Sequence, residues 1–214
     1  DSQIAMIGAA AIEILTTMGV SEAPNTLVEV IQNAGGKFVG DRLFYPQDLV
    51  ECAIKDGPDT ILLAGQSPKH DLKVGGTAAY TGTGGAAPNV FDGEKDEYRS
   101  STLADLYAAA RLADALPHIH FFSRSLVARD VEDPLDFDLA TAAASLLGTS
   151  KHVMVQAAEP THVHEIASLC YELAGGEDQF RARPFLSLNI NHAVPPLRMH
   201  VESIQVMEAA VRAG

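Results

Sequence analysis

The sequence predicts an α/β protein in which parallel βα units follow a helical N-terminal stretch, and three observations carry that expectation. Apolar residues recur every three and four positions to about residue 70. After Gly75-Gly76 short extended runs alternate with amphipathic ones, and the last extended run, Phe185-Leu-Ser-Leu-Asn-Ile-Asn191, is apolar on one face and polar on the other. The first pattern predicts helices and the second predicts βαβ units sharing a parallel sheet. The third predicts an interior or rim that uses the polar groups.

The N-terminal helices come first. Ile4, Ile7, Ala11, Ile14, Leu15 and Met18 fall on one helical face, and Gly19 offers a stop. Pro24 sits at a plausible first position of a helix carrying Leu27, Val28 and Ile31, which closes at Gly35-Gly36. Pro46 opens a third with Leu49, Val50, Ala53 and Ile54 on one side, and Gly57-Pro58 ends it before an expected strand at Thr60 to Leu63. Residues 1–72 therefore read as a helical extension with brief extended links.

Beyond it four strands are expected, at Thr77 to Thr81, Ile119 to Ser123, Val153 to Ala157 and Phe185 to Asn191. Helices are expected between them, from Thr102 to Leu116, Leu135 to Leu146 and Val163 to Leu173, with another beginning near Leu197. Thr102 and Asp105 have the spacing of a capping box, and Gly175-Gly176 supplies a helix stop. Four such units without a closing edge make half of an eight-stranded barrel or most of a small open doubly wound sheet. The pattern leaves both open.

The polar strand face supplies the candidate site. A strand covered by helices on both sides should be aliphatic on both, so a file of Ser187, Asn189 and Asn191 needs something polar to face. Gln156 ends its strand where barrel enzymes place reacting groups, whereas Tyr80 and Phe122, near the ends of theirs, are aromatics able to wall a cationic ligand. Each has a plainer reading: interior amides bond neighbouring strands, buried aromatics fill cores, and Arg124 pairs with a nearby Asp.

Other patterns carry less. Gly82-Thr-Gly84-Gly85-Ala86-Ala87 has the glycine spacing of a dinucleotide loop, but Pro88 and the turn Asp92-Gly93 follow where a helix should open. His118-x-His120 and His162-x-His164 are poorly spaced for one metal ion and read as solvated or capping residues, so no metal site is expected. The run Asp130, Glu132, Asp133, Asp136 and Asp138 reads as a solvated capping cluster ahead of a helix. Fifteen basic and twenty-eight acidic residues give a net charge of −13, which disfavours nucleic acid. No uninterrupted apolar run approaches the roughly 18 residues of a membrane span. Cys52 and Cys170 read as separate buried thiols, and a cytoplasmic location is expected.

Three longer stretches carry a resemblance. They are Gly82-Thr-Gly-Gly-Ala-Ala-Pro-Asn-Val-Phe-Asp92, Tyr98-Arg-Ser-Ser-Thr-Leu-Ala-Asp105 and Ala110-Arg-Leu-Ala-Asp-Ala-Leu-Pro117. With Gly148-Thr-Ser-Lys151, Ala174-Gly-Gly176, Arg183-Pro184 and Pro195-Pro-Leu197 in the same order, the chain resembles the trimethylamine methyltransferase family. The resemblance implies a (β/α)₈ TIM barrel with an N-terminal helical extension. It makes residues 73–214 the N-terminal half of that barrel, about four units, within a chain about twice this long. The start at Asp1 and the stop after the helical pattern ending at Gly214 fit such a fragment.

It further implies methyl transfer from a methylated amine, such as trimethylamine or a glycine betaine-like quaternary amine, to the Co(I) corrinoid (cobalamin) of a partner protein. No cofactor is then bound directly by this chain. The expected partners are that corrinoid protein and a small methylated amine or betaine, with no nucleic acid and no membrane, and a homo-oligomer is compatible with the sequence. Tyr80, Phe122, Gln156, Asn189 and Asn191 are the expected substrate-binding residues, while the catalytic residues are left unassigned. Two other readings compete: a scaffold or corrinoid-protein docking segment, and a small-molecule binding module complete in itself.

Overall fold

A computed structural model describes residues 2–214 as a mixed α/β chain with several small sheets. In chain order, α1 (Ser2–Glu13) continues as a π turn (Ile14–Met18) into β1 (Val20–Ser21), α2 (Asn25–Asn33), β2 (Lys37–Val39), β3 (Arg42–Phe44) and α3 (Gln47–Asp56). Next come the antiparallel hairpins β4 (Thr60–Leu63) with β5 (Leu72–Gly75) and β6 (Asn89–Asp92) with β7 (Glu97–Ser100). There follow α4 (Leu103–Ala115), β8 (Phe121–Ser123), α5 (Pro134–Gly148), β9 (His152–Val155), α6 (Pro160–Ala174), α7 (Glu177–Ala182) and β10 (Leu186–Leu188). The short β11 (Ala193–Val194) and β12 (Arg198–Met199) precede α8 (Val201–Ala213).

The chain divides into two compact units. The first runs to Pro58 and takes in Asn191–Ile204. Its centre is a five-stranded sheet in the order β11-β12-β1-β3-β2, antiparallel except where β1 meets β12. Leu43 is fully buried in it, and Arg42 clasps the turn before β1 through the carbonyls of Met18 (2.5 Å) and Gly19 (2.8 Å). Gly19 has φ 63° and lies so close to Leu43 that a Cβ would sit 2.6 Å from its carbonyl oxygen, so only glycine fits there. Here the brief extended links of the helical lead-in are paired strands. Strands of two or three residues are too short to leave a period-2 pattern and are specified by pairing instead.

The second unit comprises Asp59–Ile190 and Gln205–Gly214. Three parallel strands lie side by side in the order β8-β9-β10, with Phe121 opposite His152, Met154 opposite Ser187 and Val155 opposite Leu188. Single parallel bridges, Gly82 to Phe121 and Ala87 to Leu126, extend the order by one segment. The strand expected at Thr77 to Thr81 does not form, and the bridging residues lie just beyond it. Phe121 fills the space beside Gly82, and a Cβ there would meet the ring at 2.2 Å.

Helices α4, α5 and α6 pack in sequence order, α4 on α5 and α5 on α6. Phe122 lies under α4 with Leu106, Ala110 and Ala113; Val153 and Val155 lie under α5 and α6 with Ala142, Leu146, Ile166 and Cys170. The expected signals operate at the helix ends. Thr102 and Asp105 form a reciprocal capping box, Asp133 caps α5 behind Pro134, and Gly175 closes α6 in the left-handed conformation. Cys170 is buried as expected, but Cys52 is exposed, because α3 turns that side of its apolar stripe outward.

Candidate functional site

Period-2 alternation sorts the parallel strands into two faces. Phe122, Val153, Val155, Leu186 and Leu188 turn toward the helices, which leaves Phe121, Ser123, His152, Met154, Gln156, Ser187 and Asn189 on the other face. This second face is polar at both ends of the strands, with different chemistry at each.

At the N-terminal ends every polar group is used. His152 is buried; its Nδ1 meets the Ala64 carbonyl and its Nε2 meets the Ser187 hydroxyl, both at 2.8 Å. Because a carbonyl only accepts, Nδ1 carries the proton and Nε2 accepts from Ser187. Burial pulls the His152 pKa below the ordinary value, so the ring is neutral. Buried Lys151 donates to the carbonyls of Ala113 (2.6 Å), Leu116 (2.8 Å) and Ile119 (2.6 Å), closing the C-terminal end of α4 and the turn after it. Asp114 accepts from Thr149 and from the backbone and side chain of Ser150; burial would raise its pKa, but these bonds bring it below the ordinary value.

At the C-terminal ends Gly85, Ala86, Ser123, Arg124, Met154, Val155, Gln156 and Asn189 enclose a small cavity of about 80 Å³. Thr83 fixes the loop on one side, exchanging hydrogen bonds with the backbone of Ser123 (2.5 and 2.9 Å). The Asn189 amide is fixed by the Val155 carbonyl at 2.8 Å and that of Arg124 by the Met154 carbonyl at 3.0 Å, so both side chains leave the sheet at set places. The Arg124 guanidinium donates to Gln156 Oε1 at 2.5 Å and lies over the Phe137 ring, 5.5 Å from its centroid. Among the described residues no carboxylate comes within ion-pair distance of it. Burial lowers its pKa, and the charge of Asp138 partly restores it.

A larger cavity of about 380 Å³ lies elsewhere in this unit, walled by Val163, Cys170, Phe180, Leu188 and Met207. Its lining is almost wholly apolar and offers little to orient a polar ligand. The smaller cavity has the convergent polar groups expected of a site.

Of the expected site residues, Gln156 and Asn189 meet at this cavity. Phe122 is fully buried on the helix side, because the strand alternation hands the inner face to Phe121 and Ser123. Tyr80 precedes Gly82 and sits at the opposite end of the strands, its ring edge-on to His120 at 5.4 Å and its hydroxyl bonded to the Lys73 carbonyl. Asn191 is exposed and belongs to the first unit.

Three residues emerge that the sequence reading undervalued. Arg124 has no Asp within ion-pair distance among the described residues. Asp138, expected in a solvated cluster, is buried, and its Oδ2 accepts from the Ala158 amide and from His162 Nδ1, both at 2.7 Å. His162, expected to be solvated, is buried against it. The missed signal was spacing: Asp138, Thr141, Ala142 and Ser145 stand at i, i+3, i+4 and i+7, which puts Asp138 on the buried stripe of α5. Asp133 caps α5 as expected, whereas Asp130 accepts from the Leu103 amide at the start of α4.

The whole chain, residues 1–214, matches the family model described as trimethylamine methyltransferase (MTTB). It is also similar to the curated trimethylamine methyltransferase MttB of Desulfitobacterium hafniense, 28% identical over 216 residues that cover 100% of this chain and 43% of that protein. The chain thus spans less than half the length of that relative. It belongs to the trimethylamine methyltransferase family.

Proposed function

From membership of that family, we propose that the full-length protein transfers a methyl group from a methylated or quaternary amine to the Co(I) corrinoid of a partner protein. On this reading the second unit forms the first half of a (β/α)₈ barrel. Sequential parallel order and side-by-side helices support that, since a doubly wound sheet reverses its strand order and splits its helices between two faces. The cavity at the C-terminal strand ends is then where substrate binds.

The observation that carries the proposal is the half-buried Arg124, which faces Gln156 and the cavity with no carboxylate at ion-pair distance among the described residues. A desolvated guanidinium with spare donors fits an anion, so the favoured substrate is a quaternary amine that bears a carboxylate, such as glycine betaine. Arg124 holds the carboxylate, and Gln156 and Asn189 donate amide hydrogens to it. Met154 and the Gly85-Ala86 backbone wall the methyl-bearing end. The corrinoid supplies the cobalt nucleophile from the partner. The guanidinium and amides present suit a carboxylate and not a cobalt ligand, so the work of this chain is orientation and exclusion of water. The leaving amine departs neutral, and no proton need be supplied to it.

Calorimetric titration of the full-length protein with glycine betaine and with trimethylamine tests this. Arg124→Gln should weaken glycine betaine about tenfold or more while changing unfolding stability by under about 1 kcal/mol. Unchanged betaine affinity in that variant would remove Arg124 from the site.

A further inference from the structure

We infer that Asp138 is a specificity-determining residue, a buried negative charge that sets how strongly Arg124 favours a carboxylate-bearing amine over a purely cationic one. The inference rests on the substrate reading above. Asp138 stands on α5 next to Phe137, the ring beneath the Arg124 guanidinium, and its carboxylate accepts from Ala158 and His162. Those two residues lie just beyond Gln156, so one carboxylate fixes the connection that carries the Arg124 partner and also stands behind the Arg124 face.

It does not neutralise Arg124 by contact, because its hydrogen bonds run to the Ala158 amide and His162. Its charge acts on the guanidinium from a carboxylate that is only 4% exposed. A field carried through buried, low-dielectric surroundings escapes most of the screening that weakens surface charges. The sign follows. The Asp138 charge lowers the attraction of the cavity for an anion and raises it for a cation.

Asp138→Asn keeps an oxygen where Oδ2 accepts both hydrogen bonds and removes only the charge. In the full-length protein, titrated with glycine betaine and separately with tetramethylammonium, the variant should bind glycine betaine roughly three- to tenfold more tightly. Tetramethylammonium, which has the same headgroup without the carboxylate, should bind more weakly. A role limited to holding the loop would move both ligands in one direction, and equal shifts, or no shift in either, would overturn the inference. Asp138→Ser, which retains a hydroxyl toward Ala158, carries the same expectation if the asparagine variant fails to fold. Failure of the unsubstituted protein to bind glycine betaine would be a different result; it would remove the substrate reading and this inference with it.

Discussion

The two ends of the parallel strands in the second unit are built from similar residues and differ in how those residues are used. At the N-terminal end Lys151 spends its three hydrogens on three carbonyls, Asp114 accepts from two residues and His152 has a partner on each ring nitrogen. At the C-terminal end Arg124 has five donors, yet its side chain meets Gln156 and an aromatic face, and among the described residues no carboxylate pairs with it. Saturated polar groups hold a fold together. A desolvated cation with donors left over is costly unless a ligand completes it, and that distinguishes a site from a brace.

The comparison breaks if substitutions at the closed end disturb binding, or if those at the open end disturb stability. The largest expected effect is at Lys151. Lys151→Met keeps the stem but leaves three carbonyls at the end of α4 unmet, and should cost about 3 kcal/mol or more in denaturant unfolding. Glycine betaine affinity of the folded fraction should be unchanged. Gly82→Ala comes next, since its methyl must displace the Phe121 ring; about 1–3 kcal/mol should be lost, again without a change in affinity.

The smallest effect belongs to pH. His152 has a folded-state pKa below its unfolded value of about 6.5, so the unfolded chain takes up the proton first. Its contribution is therefore present above about pH 6.5 and lost as pH falls from there toward the folded pKa. Unfolding measured across that window should show falling stability, and His152→Asn should flatten the slope. An unchanged slope would mean that the ring takes up its proton at the same pH in the folded and unfolded chain.

Much of this division was legible in the sequence where a local rule acts alone. The capping box at Thr102 and Asp105, the Pro134 start and the Gly175 stop need only neighbours along the chain, and each formed as expected. The strand Thr60–Leu63 also formed where expected, whereas the hairpin Asn89–Ser100 went unread around its Asp92-Gly93 turn. Gln156 and Asn189, which line the small cavity, stood out because a polar residue at the end of an apolar strand conflicts with burial. Phe122 was misplaced by one position: a strand of three residues reveals its alternation only after its partner sets the register, and the Phe121 to His152 pairing does that. Asp138 and His162 were hidden for another reason. They lie 24 residues apart and become partners only when α5 and α6 pack together.

The most direct test of the central claim is a crystal structure of the full-length protein soaked with glycine betaine. The account predicts the carboxylate at hydrogen-bonding distance, about 2.9 Å, from the Arg124 guanidinium, with Gln156 and Asn189 beside it and the methyl groups toward the open rim. Betaine bound elsewhere, with Arg124 still bonded only to Gln156, would contradict it.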